Sequence, residues 1–307
     1  MLIFSGIMQT TIEKLPKSSL KIKVTVPADK VKESYEALVL KAVEATEIEG
    51  FRKGKAPKEL VIDKVGVSNL YGDLVNELLK IFYPQALKEN SISPVSNPKV
   101  EINEFELDKD FVFTATVATR PEVKVGDYMT SLKKSYQEQV EAKTKENQEK
   151  IAKGEQVQEV HYHLSPNEVI DHIVKAAEVE VPDLLIDEET DRMLSRLVSQ
   201  AQSIGLSLDQ YLKSQNRSSE ELRTEYMGIA EKNLKAEFAL GHIIKEKDIE
   251  ISDEEIKEML KAGGFENVDE RMDNLYEKLY IKSILQKNKV ISSIIEEIEG
   301  ENHHEHK

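Results

Sequence analysis

The sequence contains no cysteine and no tryptophan, and aromatic residues make up 6% of its 307 residues. Without cysteine the chain has no disulfide framework, thiol nucleophile or thiolate metal site, which agrees with a reducing cytosol. Hydrophobic residues still reach 39%, enough for real cores in about two domains. Cores built from Leu, Ile, Val and Ala favour helices over a β-sandwich.

Long hydrophobic runs are also missing. Leu2, Ile3 and Phe4 form a brief apolar start without a basic flank, and residues 10–13 interrupt it before a signal-peptide core is reached. No run approaches the roughly 20 apolar residues of a transmembrane helix. These absences predict a soluble, cytoplasmic protein with no membrane partner.

Enzyme signatures are equally scarce. The sequence has no Gly-x-Ser-x-Gly motif, Walker-type glycine loop or dinucleotide fingerprint, so we expect no catalytic residues and no cofactor. The pair His161 and His163 could bind a metal, but no third ligand is evident. The terminal His303, His304 and His306 are better interpreted as part of a polar tail. No metal site is therefore predicted.

The charge is unevenly distributed along the chain. The net charge is −15, and the segment from Pro166 onward holds 32 acidic and 18 basic residues, a balance of −14 that leaves −1 for the rest. The front part can therefore approach an anionic surface such as RNA, while the back part would be repelled by it. A general nucleic-acid binder would be basic overall.

The most informative stretch is the basic loop, residues 50–57. Its sequence is Gly-Phe-Arg-Lys-Gly-Lys-Ala-Pro, and four cations fall between Arg52 and Lys58 with no acid among them. Arginine offers a planar fork to phosphate and lysine a point charge, while glycine allows close backbone approach and Phe51 can stack on a base or enter an apolar notch. The simpler alternative is an ordinary solvated loop between two helices.

The front of the chain is predicted to be an α+β domain, with a small antiparallel sheet plus helices and the basic loop at a helix–helix tip. Strands are predicted where apolar and polar residues alternate, at residues 20–26, 99–103 and 111–118. Helices are predicted where apolar residues recur at three and four, at residues 31–48, 58–65 and about 68–82. Gly50 ends the first helix and Pro57 opens the second.

The back of the chain is predicted to be all-α from Ser165 onward. In three capping boxes, at Ser207, Ser218 and Ser252, a hydroxyl and a Glu or Gln side chain three residues later satisfy free backbone N–H groups. Residues 127–164 begin with apolar residues at helical spacing and then turn polar, which favours a charged helical spacer. The predicted domains are residues 1–126, 127–164 and 165–307.

The basic loop resembles the Gly-Phe-Arg-x-Gly-x-x-Pro signature with which trigger factor, a bacterial chaperone, docks on the ribosome. Residues 8–28 are similar to the start of that family, which makes Met8 a candidate initiator. Further similar blocks follow in the family's order, at residues 181–194, 218–223 and 251–256.

The chain departs from the family's usual plan between Tyr128 and Leu164. The family normally carries there a peptidyl-prolyl isomerase domain of the FKBP type, on the order of a hundred residues. The short charged segment present here is too small for a closed sheet around an apolar pocket. Isomerase activity is therefore not expected.

The resemblance implies an ATP-independent chaperone that docks on the large ribosomal subunit near the exit tunnel and shields nascent or unfolded chains. The implied partners are a ribosomal protein, nearby ribosomal RNA and the unfolded chains, and a weak homodimer away from the ribosome is left open. The residues implied in docking are Gly50, Phe51, Arg52, Lys53, Gly54, Lys55 and Pro57. The alternatives are a free cytosolic holdase, a degenerate prolyl isomerase, and a periplasmic chaperone, which the missing signal peptide disfavours.

Client binding would require apolar patches on rigid helices rimmed by charge. Methionine is a soft, adaptable residue for such patches. The candidates are Met193, Leu197, Met227, Met259 and Met272. Because apolar residues at helical spacing usually pack inward, the alternative is that some or all of them fill the helical core.

Overall fold

The computed structural model describes residues 8–153 and 162–303. These residues form two compact units. The first unit comprises residues 8–121 together with Pro182–Glu188, and the second comprises the remaining described residues. The expected fold class, an α+β front part followed by a helical back part, is confirmed. The three domain boundaries expected from the sequence stay a prediction.

The first unit is built on a four-stranded antiparallel sheet. Its strands are β1 (Gln9–Leu15), β2 (Ser19–Val26), β3 (Lys99–Glu104) and β4 (Phe111–Ala118), in the order β1-β2-β4-β3. In the register of the two central strands Ile22 lies opposite Ala115 and Val24 opposite Phe113. Since side chains alternate between the faces of a sheet, the apolar residues of β2 and β4 cover one face together.

Three helices complete the first unit: α1 (Ala28–Ala45), α2 (Lys58–Val65) and α3 (Val67–Glu89). Leu74, Leu78 and Phe82 of α3 join the apolar face of β2 and β4 in one buried core. Helix α1 ends three residues before the expected residue 48, because Thr46 adopts an extended conformation and its N–H closes the helix on the carbonyl of Ala42. The basic loop therefore lies in the connection from residue 46 to residue 57.

The second unit is mostly helical. Its elements are β5 (Val123–Val125), α4 (Tyr128–Ala152), α5 (Pro166–Ala176), β6 (Ala177–Val179), α6 (Asp183–Ser203), α7 (Leu208–Gln215), α8 (Ser219–Glu246), α9 (Asp253–Ala262), α10 (Val268–Asp273) and α11 (Leu275–His303). The first residues of α6 belong to the first unit. Strands β5 and β6 pair antiparallel as a small ribbon, and β6 lies in the part of the chain that the sequence pattern predicted to be all-α. Helix α11 is continuous through residues 290–298.

The first turns of α4 pack into the core of the second unit, where the sequence favoured a spacer. Tyr128, Leu132 and Tyr136 are buried in a cluster that also contains Ile173 of α5, Ile243 of α8 and Ile294 of α11. The physical reason is the spacing of four residues, which places these three side chains on one stripe. The second half of α4 is mostly exposed. Residues 154–161 of the expected spacer lie outside the described residues.

Capping boxes begin several helices of the second unit, as expected. The boxes at Ser207, Ser218 and Ser252 are confirmed, and Ser165 with Glu168 forms another that was not foreseen. In the Ser252 box the backbone N–H of Ser252, followed by Lys289, lowers the pKa of Glu255 to about 2. Within the described part of the chain, no helix combines the length and apolar character needed to cross a membrane.

Candidate functional site

The basic loop connects α1 to α2, and two consecutive tight turns shape it. The N–H of Phe51 donates to the carbonyl of Ile48 at 3.1 Å, and the N–H of Lys55 donates to the carbonyl of Arg52 at 2.9 Å. Gly50 and Gly54 occupy the third position of these turns with φ of +83° and +79°. A positive φ at that position is the requirement of a type II turn, which glycine meets without strain. Glycine therefore fixes the path of the loop.

The side chains implied in docking are largely presented to solvent. Phe51 is 44% exposed although it is a large apolar residue. Arg52, Lys53, Lys55 and Pro57 are exposed as well, whereas Gly54 is half-buried. The structure thus brings together every residue of the basic loop that the sequence singled out for docking.

Ala56 anchors the end of the basic loop. Ala56 is buried, and Val61 in the first turns of α2 is fully buried. A small buried side chain beside exposed neighbours holds the end of the loop against the body of the unit. A Cβ at Gly54 would lie 4.0 Å from the Cα of Glu44 at the end of α1, so the loop folds back close to that helix. Ala56 carries no sequence signal beyond its apolar character.

The cations of the loop are free to bind a partner. Among the described residues no ion pair or side-chain hydrogen bond engages Arg52, Lys53, Lys55 or Lys58. An unpaired surface cation does not have to give up an internal partner when it meets a phosphate or a carboxylate. The arrangement of a half-exposed ring beside these free cations can hold an anionic surface that also offers an apolar or aromatic contact.

A second surface lies at the start of α11 and was not foreseen as exposed. We call it the α11 stripe. It consists of Leu275, Tyr276, Leu279 and Tyr280, which are 63%, 87%, 54% and 68% exposed. The two leucines are four residues apart, the two tyrosines are four apart, and Tyr276 and Leu279 are three apart, so the four side chains form one continuous patch on the helix surface. Their sequence spacing is helical, and that spacing did not reveal that the stripe faces solvent.

The α11 stripe is carried by a braced set of short helices. Asn274 caps α11 by accepting hydrogen bonds from the N–H groups of Tyr276 and Glu277, at 3.1 and 3.3 Å. Lys278 donates to Asp253 of α9 at 2.7 Å, and this hydrogen bond lowers the pKa of the Asp253 carboxyl. Exposed Phe265 stacks under Arg271, whose Cζ lies 3.9 Å from the ring centre. Charged residues thus surround an apolar patch.

The client-binding candidates from the sequence lie on four helices and differ in their exposure. Met193 and Leu197 of α6 are half-buried, and Met227 of α8 and Met259 of α9 are exposed. Met272 packs against the small core of Ile251, Ile256, Leu260 and Ile281. Their role in client binding stays a prediction.

Metal and catalytic chemistry find little support in the described residues. No group of three or more His, Asp or Glu side chains that could hold a metal ion occurs among them. His163 lies 3.5 Å from Glu299, and His161, His304 and His306 fall outside the described residues. Of the two histidines considered as metal ligands, His161 and His163, only His163 is therefore among the described residues.

Comparison with known proteins gives consistent matches. The family model described as bacterial trigger factor protein matches residues 8–154, and the model described as the C-terminus of bacterial trigger factor protein matches residues 129–296. The trigger factors of Staphylococcus epidermidis and Staphylococcus carnosus are each 42% identical over 121 residues. That match covers 39% of this chain and 28% of each relative, so it spans less than a third of their length.

A solved structure extends the similarity over most of the chain. That structure is described as "Promiscuous Substrate Recognition in Folding and Assembly Activities of the Trigger Factor Chaperone". The match has a TM-score of 0.58 and 13% identity, and it covers 94% of this chain and 100% of the other. At that identity the likeness concerns the fold.

Proposed function

The chain belongs to the bacterial trigger factor family, and we propose that it is an ATP-independent chaperone that docks on the large ribosomal subunit near the exit tunnel. In this proposal the basic loop holds the ribosome and the helical unit shields nascent or unfolded chains in the cytoplasm. The family membership rests on the two family models, which together span residues 8–296. The activity and the partners are our proposal, because the matched relatives are covered over 28% of their length.

The observation that carries the docking proposal is the exposure of the basic loop. Phe51 and Arg52 lie between the two glycine turns, outside the core of the first unit. Arginine can form a bidentate contact with phosphate, and an aromatic ring can stack on an unpaired base or fill an apolar notch of a ribosomal protein. The charge distribution supports the same partner, since residues before Pro166 carry a net charge of −1 and the rest carry −14.

The shielding of unfolded chains is supported by the α11 stripe. An exposed patch of two leucines and two tyrosines is unusual on a soluble surface and is typical of an interaction site. Tyrosine offers both an apolar face and a hydroxyl, so it can contact many different sequences. We propose that this stripe contacts clients together with exposed Met227 and Met259.

We propose no prolyl isomerase activity. The described part of the segment between Tyr128 and Leu164 is dominated by one helix, and the buried face of that helix is already used in the core of the second unit. The alternative of a degenerate isomerase has its own test. In the presence of the protein, a proline-limited refolding reaction should keep its uncatalysed time constant of roughly tens to hundreds of seconds at 25 °C. An accelerated slow phase would favour the isomerase.

Sedimentation with purified ribosomes tests the docking proposal. We expect the chain to sediment with ribosomes at low salt, and the logarithm of the binding constant to fall by roughly 0.7–0.9 per contacted phosphate for each unit of log salt. A free holdase would stay in the supernatant at every salt concentration while still suppressing client aggregation. That result would contradict docking and favour the alternative.

A further inference from the structure

One exposed lysine near the basic loop donates a hydrogen bond to the backbone of the same unit. The Nζ of Lys64 donates a hydrogen bond of 2.5 Å to the backbone carbonyl of Glu47. Glu47 follows Thr46, the C-cap of α1, in the segment that leads into the loop, and Lys64 lies in the last turn of α2. The contact joins residues 17 positions apart and closes the base of the segment that contains both glycine turns. The loop cations behave differently, because their side chains have no such partner in the described residues.

The helix that carries Lys64 is held against the body of the unit. Val61 in the middle of the helix is fully buried. At its end, the N–H of Gly66 donates to the carbonyl of Ile62 at 2.8 Å, and the side-chain amide of Asn69 donates to the carbonyl of Val65 at 2.7 Å. Gly66 turns the chain into α3 with φ of +88°. Lys64 therefore reaches the loop entrance from a rigid support.

We propose that Lys64 is a positioning residue that pre-orders the basic loop for ribosome binding. This inference rests on the proposed function and extends it to a residue that does not itself touch the ribosome. A flexible loop loses conformational freedom when it binds, and a contact that restricts the loop beforehand reduces this loss. Lys64 holds the entrance of the loop at one end, while Ala56 holds its exit by burial.

Two variants separate positioning from direct contact. Lys64→Met removes the donor and keeps an unbranched side chain that is one atom shorter, and Lys64→Arg restores a donor. A hydrogen bond of this kind is worth a factor of about two to ten in an equilibrium constant. We expect Lys64→Met to weaken ribosome binding by that factor, and Lys64→Arg to return it to within about twofold of the unsubstituted chain.

The salt dependence gives a readout that a direct phosphate contact would change. Because Lys64 acts on the loop and not on RNA, the slope of log affinity against log salt should be the same for Lys64→Met as for the unsubstituted chain. Loss of a direct contact would lower that slope by roughly 0.7–0.9. Lys88→Met is the matched control, since Lys88 is also an exposed lysine in the last turn of a helix of the same unit. We expect Lys88→Met to bind as the unsubstituted chain does.

Hydrogen exchange of the free protein tests the inference without ribosomes. The amide groups of Phe51 and Lys55 donate in the two turns, and opening of the loop exposes them to exchange. We expect these amides to exchange faster in Lys64→Met and at the original rate in Lys64→Arg. Unchanged exchange, unchanged affinity or a reduced salt slope in Lys64→Met would each overturn the role of Lys64. An unsubstituted chain that does not bind ribosomes would instead overturn the proposed function.

Discussion

Replacing Phe51, Arg52 and Lys53 together by alanine is expected to abolish sedimentation with ribosomes and to leave the fold intact. These side chains combine the residue types that dominate binding energy, an aromatic ring and an arginine, with a further cation. Losses of about 2 kcal/mol at two such anchors weaken binding on the order of a thousandfold. The fold should survive because Phe51 is 44% exposed and the two cations are exposed and unpaired in the described structure.

The matched control removes the same chemistry from the sheet of the first unit. Ile102 is 45% exposed on β3, and Lys99 and Lys21 are exposed on β3 and β2. Replacing these three residues by alanine also removes one large apolar side chain and two positive charges. We expect this triple variant to sediment as the unsubstituted chain does. Equal sedimentation of the two triple variants near 0.15 M salt would contradict the assignment of the basic loop.

Replacing the four residues of the α11 stripe by glutamine is expected to abolish most of the suppression of client aggregation. A client that covers half of each side chain contributes about 1 kcal/mol per residue, so the loss corresponds to a weakening on the order of a hundredfold or more. Stability should change little, because the four side chains are 54–87% exposed and glutamine is a good helix former. The measurement is light scattering of a denatured client at increasing chaperone concentration, with a thermal unfolding curve for each variant.

Exposed apolar residues elsewhere provide the control for the stripe. Leu40, Ile81, Val95 and Ile102 are 44–51% exposed and belong to the first unit. Their joint replacement by glutamine removes the same number of apolar side chains without touching α11. We expect this variant to suppress aggregation normally. The stripe would lose its assigned role if both quadruple variants, or neither, lost activity.

The basic loop was predictable from the sequence to an unusual degree. Pro57 marked the start of α2, and the two glycines that the sequence singled out, Gly50 and Gly54, occupy the positions where the backbone takes a positive φ. These are local properties, because a turn or a helix start depends on residues that are neighbours in the chain. The capping boxes at Ser207, Ser218 and Ser252 were predictable for the same reason.

The parts that escaped prediction depend on contacts between distant residues. The periodicity of Leu275 and Leu279 shows that they share a helix face, but it carries no information on whether another element covers that face. The hydrogen bond from Lys64 to Glu47 has no sequence signature, since any lysine in that turn looks the same. Strands β5 and β6 have three residues each and lie more than fifty residues apart, too short for a period-two pattern.

The first turns of α4 are buried although the sequence pattern favoured an exposed spacer. The apolar residues at the start of this segment, Leu132 and Tyr136 among them, lie at helical spacing, yet the polar residues after them favoured a spacer over a core helix. The prediction followed the polar composition of the whole segment and gave less weight to its apolar first half. The structure buries that half against α5, α8 and α11. Whether a residue is buried depends on the helix face that it occupies and not on the mean polarity of the whole segment.

The most direct measurement is photocrosslinking from position 51. A photoreactive phenylalanine analogue replaces Phe51, and the protein is irradiated with purified ribosomes. We expect adducts with a large-subunit protein or with nearby ribosomal RNA, and none from the same analogue placed at Ile102 on the sheet. A position 51 that forms no ribosomal adduct while the protein remains folded, or that reacts no more than position 102, would contradict the account.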